Sequence, residues 1–432
     1  MKKYETIYFQ LKEEILQGYR RQGEKMPSIR YCVRQFHVSQ TSVEHAYAQL
    51  QLEGYIRARP QSGYYVALSE ENRRLHAAMQ ELSPVAEEPQ IQFDLRSQSI
   101  LTEENELVIW KQYLKQAMNH TAISSYGEAR GEYALRVSLM KHASQVRGVL
   151  AHEEQLIIGA SVQSLLYQVC GLLDKPAKVA IQKDIYLQAR RVFEDYGMEV
   201  ADVSLGEKIF SMQELKRLHP TILFLHSPSL FEKEKFDEQA RKELMEYVQK
   251  ENILLIEDDH NGELNYLREG SRALAAMDPS RSCLYMGSFS RILLPALRIS
   301  YMILPQPLAK KYQEREPSYS PSASKLEQLA FASYIADGHL RRRITRLKRQ
   351  YHQKHQLMLE EAAHLHLHCV RIEESLTRYH FAYERDIDAF LQRLQKQGIA
   401  IDGFTSDTFI ISFAALPYDQ LSKALTQLAK LR

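Results

Sequence analysis

A chain of 432 residues, 44% of them hydrophobic, is too long for one small core, so two or three domains are expected. The net charge of +2 is unevenly placed: residues 1–66 carry ten Lys/Arg against six Asp/Glu, which points to an anionic partner for this head alone. No apolar run is long enough for a bilayer span, Glu5, Glu13 and Glu14 interrupt any signal-peptide core, and Cys32, Cys170, Cys283 and Cys369 lack paired spacing, so a cytoplasmic protein with reduced thiols, no metal site and no membrane contact is expected.

In chain order, the first predicted helix runs from Tyr4 to about Gln17, with Ile7, Leu11 and Ile15 on one face. The stretch GEKMPSIRYCVRQFHVSQTSVEHAYAQLQLEGYI then predicts a second helix, a turn at His37–Val38–Ser39 and a third helix. Ser39 or Gln40 caps that third helix. Its inner face carries Val43, Ala46, Tyr47 and Leu50, and its outer face Gln40, Thr41, Ser42 and His45, small polar groups suited to a groove. YIRARPQSGYYV predicts two short strands around a turn, a wing whose Arg57 and Arg59 suit phosphates.

Residues 67–92 are charged and weakly periodic and read as a linker. Beyond them seven apolar runs alternate with helical patterns: 155–161, 178–183, 199–204, 221–226, 253–259, 283–289 and 298–305. Several are continuous and β-branched, as strands buried on both faces are, so the expected fold is α/β with a mostly parallel sheet of seven strands over 93–340. Its functional loops belong at the carboxyl ends of the strands. Residues 341–432 read as a separate, small α+β lobe. In HLHLHC, His364, His366 and His368 would share one face of a strand, but without a fourth ligand a solvated face is the simpler reading.

The series P-S-x-R, V-S-x-x-S-V-x-x-A-Y-x-x-L-x-x-E-G-Y and R-x-x-S-G-Y-Y-V resembles the winged helix-turn-helix of GntR-type bacterial regulators and covers nearly all of 1–66. The resemblance implies that Ser28, Arg30, Ser39, Gln40, Thr41, Ser42, His45, Arg57, Arg59, Ser62 and Gly63 face double-stranded operator DNA. Gln40 departs from it, because an arginine is common there, and the change removes a phosphate or guanine contact. Six landmarks make 93–432 similar to fold type I pyridoxal-phosphate enzymes: YGEARGEYALR, GASVQSL, Tyr186, HSPS, EDDHNGEL and GSFSRILLPALR. Together the two halves resemble a MocR-type regulator, which implies a homodimer with an aminotransferase-like effector domain.

That resemblance assigns a phosphate loop to Gly159, Ala160, Ser161 and Val162, with Ser288, Ser290 and Arg298 completing it. It places Tyr186 on the cofactor's pyridine ring and Asp258 at the ring nitrogen. Other positions depart. Arg291 stands where a lysine forms the Schiff base, and a guanidinium is neither neutral nor nucleophilic. His260 replaces a tyrosine, LFEKEK (230–235) replaces a rim segment with proline and glycine, and Ile410 stands where a substrate-carboxylate arginine is expected. The expectation is therefore a DNA-binding regulator and not an enzyme. No covalent cofactor is expected, while pyridoxal phosphate or another phosphate or anion remains open as a non-covalent effector. Two alternatives stand beside it: residual amine chemistry using another base, and an effectorless dimerisation scaffold. Arg291 beside Arg298 calls for an anion or for a partner such as Asp258.

Overall fold

In the head, helix α1 (Lys3–Leu16) lays Ile7, Leu11 and Ile15 against α3 (Gln40–Leu52), whose Val43, Ala46, Tyr47 and Leu50 are fully buried. Between them lies α2 (Ile29–Phe36). Ser28 caps α2 by accepting the Tyr31 N–H at 3.2 Å, and Ser39 caps α3 by accepting the Ser42 N–H at 3.3 Å. His37, in the left-handed region at φ 51°, closes α2 and makes the turn expected at 37–39. The wing follows as antiparallel β1 (Ile56–Arg59) and β2 (Gly63–Val66), paired from Ile56↔Val66 to Arg59↔Gly63. This computed structural model describes residues 3–69, 71–73, 91–173, 177–183, 187–204, 212–231, 236–267, 272–373, 375, 377–383 and 386–431. The chain divides into two units, Met1–Gln90 and Ile91–Arg432.

The seven apolar runs are the seven strands of the body's main sheet. They are β4 (Leu156–Gly159), β5 (Lys178–Gln182), β6 (Glu199–Val203), β7 (Ile222–His226), β8 (Leu254–Asp258), β9 (Leu284–Ser288) and β10 (Ser300–Ile303), preceded in the chain by a short β3 (Phe93–Leu95). Their order is β4-β10-β9-β8-β7-β5-β6, and β10 alone runs against its neighbours. The carboxyl ends of β4, β7, β8 and β9 therefore meet the amino end of β10 along one edge. Separate apolar clusters fill the space on the sheet's two faces.

At that edge Gly159 passes straight into the helix Val162–Leu172, which Ser161 caps reciprocally with Ser164 at 3.1 Å in each direction. A Cβ at Gly159 would come within 2.6 Å of Leu165, so only glycine lets the strand end pack this closely on the helix. The C-terminal lobe contains β11 (Cys369–Glu373), β12 (Arg378–Ala382), β13 (Ile399–Ile401), β14 (Gly403–Phe404) and β15 (Thr408–Ser412). A four-stranded antiparallel sheet, β11-β12-β15-β14, is backed by the helix His339–His364 and the helix Tyr418–Leu431.

Two details differ from the sequence reading. The start of the 93–340 segment lies on the lobe: β3 pairs in parallel with β13, and the Ser97 N–H donates to Asp402 at 2.8 Å. Nor do His364, His366 and His368 share a strand, because His364 ends a helix, His366 sits at φ 54° and β11 starts only at Cys369.

Asp278 organises the turn leading into β9. Its carboxylate accepts the N–H groups of Ser280 (3.0 Å), Ser282 (2.6 Å) and Cys283 (2.9 Å). Burial alone would raise its pKa, but the hydrogen bonds from Ser280, Cys283 and Ser282 outweigh it and hold the carboxyl at about 2. A carboxyl depressed in the fold stabilises above its unfolded pKa and loses that contribution as pH falls through its folded value. The stability deficit of Asp278→Asn is therefore expected to be full at neutral pH and to narrow between about pH 4 and pH 2, as read from thermal midpoints across that range.

Candidate functional site

The polar face of the head assembles most of the residues singled out for DNA. Ser28, Arg30, Ser39, Gln40, Thr41, His45, Arg57, Arg59 and Gly63 are exposed, and Ser42 and Ser62 are half-buried. Several are already engaged. Ser28 and Ser39 are caps, Gln40 Nε2 donates to Glu44 at 2.8 Å, His45 packs edge-on to Tyr4, and Ser62 shares a 2.6 Å hydrogen bond with Tyr65. Among the described residues Arg30, Thr41 and Arg57 make no side-chain hydrogen bond or ion pair. Arg59 lies 4.3 Å over the Tyr65 ring. Lys25, which the sequence reading passed over, completes the cluster, because its backbone bridges Tyr65 and its Nζ lies 6.0 Å from that ring. Its place on the wing comes from chain folding and leaves no local mark in the sequence.

In the body, the edge where the strands end opens into a cavity of about 370 Å³. Eight of the expected residues line it: Ala160, Ser161, Val162, His260, Ser288, Ser290, Arg291 and Arg298. Gly159 lies behind the loop and Asp258 behind His260, while Tyr186 and residues 232–235 lie outside the described residues. The structure adds Gln98, Gln188 and Ser300, brought in from β3's loop, a helix and β10. Ser300 joins the serine cluster by donating to Ser288 at 3.1 Å, and Ser288 lies 3.3 Å from Ser290. The N–H groups of Val162 and Gln163, in the first turn of their helix, have no intrahelical acceptor.

The two arginines of this cavity are held differently. Arg298 is exposed and sits at φ 49°, ψ 46°, a left-handed conformation that costs a non-glycine residue about 1–2 kcal/mol. Arg291 is half-buried, and one of its terminal nitrogens donates to Thr377 Oγ1 at 3.0 Å. Burial pulls its pKa below the ordinary arginine value, Arg378 adds repulsion, and Tyr351, Asp402 and Tyr266 work the other way. Among the described residues, neither arginine is paired with a carboxylate and no carboxylate or lysine lines the cavity.

Asp258 does not pair with Arg291. Its fully buried carboxylate accepts His260 Nδ1 at 3.0 Å and the His260 N–H at 3.1 Å. Burial would push this carboxyl up, but the His260 imidazole and N–H outweigh it and hold it below its usual range. Behind His260, the His226 ring lies 4.2 Å away, and its Nε2 is 3.1 Å from the His260 carbonyl. Burial, reinforced by His260, pushes His226 down to about 3, so it stays neutral at physiological pH. On the opposite face of the strand end, Arg147 grips Asp259 at 2.6 and 3.0 Å, and the Tyr285 hydroxyl donates to it at 2.7 Å. Gly262 lets this pair close, since a Cβ there would stand 2.0 Å from Asp259 Oδ1.

Comparison with known proteins agrees with both halves. Residues 3–66 match the model of the bacterial regulatory proteins of the gntR family. YdeL of Bacillus subtilis, an uncharacterised HTH-type transcriptional regulator, is 30% identical over 363 residues, 83% of this chain and 78% of its own. PdxR of Corynebacterium glutamicum, an HTH-type pyridoxine biosynthesis transcriptional regulator, is 26% identical over 81% of this chain and 76% of its own. Among solved structures, Pyrococcus horikoshii kynurenine aminotransferase superposes with a TM-score of 0.65 at 20% identity, covering 84% of this chain and 94% of its own.

Two substitutions with opposite expected effects test this geometry. Arg291→Met removes a half-buried cation without a carboxylate partner and should raise the thermal midpoint of the protein in anion-free buffer, by the equivalent of about 1 kcal/mol. His260→Phe leaves the buried Asp258 without its ring partner and should lower the midpoint, by the equivalent of roughly 1–3 kcal/mol.

Proposed function

The chain belongs to the MocR-type regulators, GntR-type DNA-binding transcription factors with an aminotransferase-like body, and from that premise we propose that its body senses a small anion without Schiff-base catalysis. The observation that carries this reading is the cavity itself. It retains a phosphate-type cradle of serines, helix N–H groups and Arg298, and it has Arg291 at the place of the reactive amine.

The kynurenine aminotransferase of similar fold is solved in complex with PMP. Here the described lining fits the anionic end of such a group, while Asp258, hydrogen-bonded to His260, does not itself line the cavity. Among the described residues no lysine lines the cavity. Burial lowers Lys354 to about 8, but its Nζ points to the Phe413 carbonyl at 3.5 Å, and Lys354 does not line the cavity. Slow amine chemistry on another lysine therefore has no group to perform it among the described residues.

We assign the DNA surface to α3 and the wing, with Thr41 and its neighbours Gln40, Ser42 and His45 at the groove and Arg30, Arg57, Arg59 and Lys25 at phosphates. Work on DNA places the protein in the cytoplasm, and the body supplies the homodimer scaffold. An effector acts by binding the DNA-competent and DNA-incompetent arrangements with different affinity. Among the described residues no helix is long and apolar enough to cross a membrane.

Two measurements test the proposal. Borohydride treatment after incubation with pyridoxal phosphate should leave the mass of the wild-type chain unchanged, while inorganic phosphate raises its thermal midpoint. A covalent adduct on any body lysine of the wild type refutes it. On DNA, Arg57→Ala should weaken binding similarly for all sequences and reduce the slope of log K against log salt by about 1. An unchanged slope removes Arg57 from the phosphate contacts.

A further inference from the structure

We infer that the ligand of the body's cavity is a compact molecule with two separate acidic groups, a phosphate at the Arg298 end and a carboxylate or second phosphate at Arg291. This rests on the reading of the cavity as an anion site and names what that site takes.

The inference begins with charge. Arg291 and Arg298 line the same cavity with no described carboxylate, and an arginine cannot shed its proton to relieve the excess. One end resembles a phosphate cradle: Arg298, Ser290 and the open N–H groups of Val162 and Gln163. Those N–H groups serve a single anion, and nothing in that end accounts for the second arginine.

Arg291 is anchored elsewhere. Its guanidinium is tied to Thr377, at the foot of β12 in the C-terminal lobe, and Thr377 Oγ1 in turn lies 2.7 Å from Ser412 Oγ. The nearby Arg378 is already matched, with Nε 3.2 Å from Asp402 and 3.0 Å from Ser97 Oγ. Arg291 makes no ion pair among the described residues, and Asp402, a carboxylate that favours its charge, is already paired with Arg378. Its remaining N–H groups form a planar fork suited to a carboxylate. The two anionic subsites thus rest on different parts of the body, the phosphate end on the main sheet's edge and the other on the lobe.

Size and lining restrict the ligand further. About 370 Å³ is near the lower end for ligand pockets, suiting a molecule with a short carbon spacer rather than a nucleotide. The neutral amides of Gln98, Gln163 and Gln188 provide hydrogen bonds to hydroxyl groups on such a spacer. With no lysine among the described lining residues, a carbonyl group in the ligand confers no advantage. The chemistry recognised is that of a small phosphorylated hydroxy acid.

Calorimetric titration of the full-length protein with inorganic phosphate, glycerol 3-phosphate and 3-phosphoglycerate tests this. The two-ended 3-phosphoglycerate should bind at least about tenfold more tightly than glycerol 3-phosphate, the increment of a charge-assisted pair. Arg291→Gln should bring 3-phosphoglycerate down to the level of glycerol 3-phosphate and leave inorganic phosphate unchanged. Arg298→Gln should weaken all three, and thermal midpoints confirm that both variants fold. Equal binding of the two organic phosphates to wild type, or equal losses for all three in Arg291→Gln, overturns the second subsite and leaves the anion cavity standing. If inorganic phosphate and both organic phosphates fail to bind, the anion-cavity reading falls as well.

Discussion

A carboxylate removed from water must find a partner, and the one that Asp258 finds decides what the rest of this site is for. Three acidic residues end β8, and the strand's alternation sends them to different sides. Glu257 accepts the N–H groups of Leu274 and Ala275, Asp259 takes Arg147 and Tyr285, and Asp258 between them faces His260. Because His260 is only two residues on, the pair forms within one turn and needs no ligand. The chain's own imidazole thus lines the cavity where the carboxylate does not. With Asp258 engaged, Arg291 and Arg298 are left to whatever enters the cavity.

Those two arginines carry the proposal of an anion site more than any neutral residue does. The fold tolerates a half-buried guanidinium whose hydrogen bond among the described residues is to a threonine hydroxyl, and a second arginine held in a left-handed conformation. Elsewhere the same chain pairs its buried cations closely. Arg343, 1% exposed, reaches Glu103 at 2.9 Å and the Ile292 carbonyl at 3.1 Å, and Arg136 bonds Glu128 and Glu153. Lys354 is an exception outside the cavity, buried with the Phe413 carbonyl at 3.5 Å, and left-handed backbone recurs at His37 and His366. What sets the cavity apart is that two arginines without a described carboxylate partner line one space, a cost in stability that ligand binding would offset.

Much of this was legible in the sequence because it is written in short-range patterns. Several of the seven strands are continuous apolar runs, and the head's helices carry their caps and inner faces within a few residues. The loop residues Ala160, Ser161, Ser288, Ser290, Arg291 and Arg298 sit in two motifs whose order survives, so their convergence on one cavity was readable. Contacts made over long stretches were not. Gln98 reaches the cavity because β3 pairs with β13, some three hundred residues later, and no local pattern encodes that pairing. Lys25 joins the wing for the same reason. The partner of Asp258 is a different case: residue types alone made Arg291 a natural choice, and only the direction of the side chain beyond β8 selects His260.

The loop that carries Arg291 is also the one best placed to report on occupancy. Arg291 reaches Thr377 in the lobe, and the carbonyl of the next residue, Ile292, accepts Arg343 from the long helix His339–His364. Arg343 and Arg346 hold Glu103 and Glu106 in turn, tying the helix Glu104–Met118 into the same group. An anion on the remaining N–H groups of Arg291 would bind a guanidinium already tied to Thr377, so it would bear on a linkage between sheet edge and lobe that exists without ligand. Coupling of this kind needs only that the linked and released arrangements differ in affinity for the anion. An amine at this position could take part in covalent chemistry. The arginine instead keeps a permanent charge at the junction of sheet edge and lobe, where binding and shape are most directly joined.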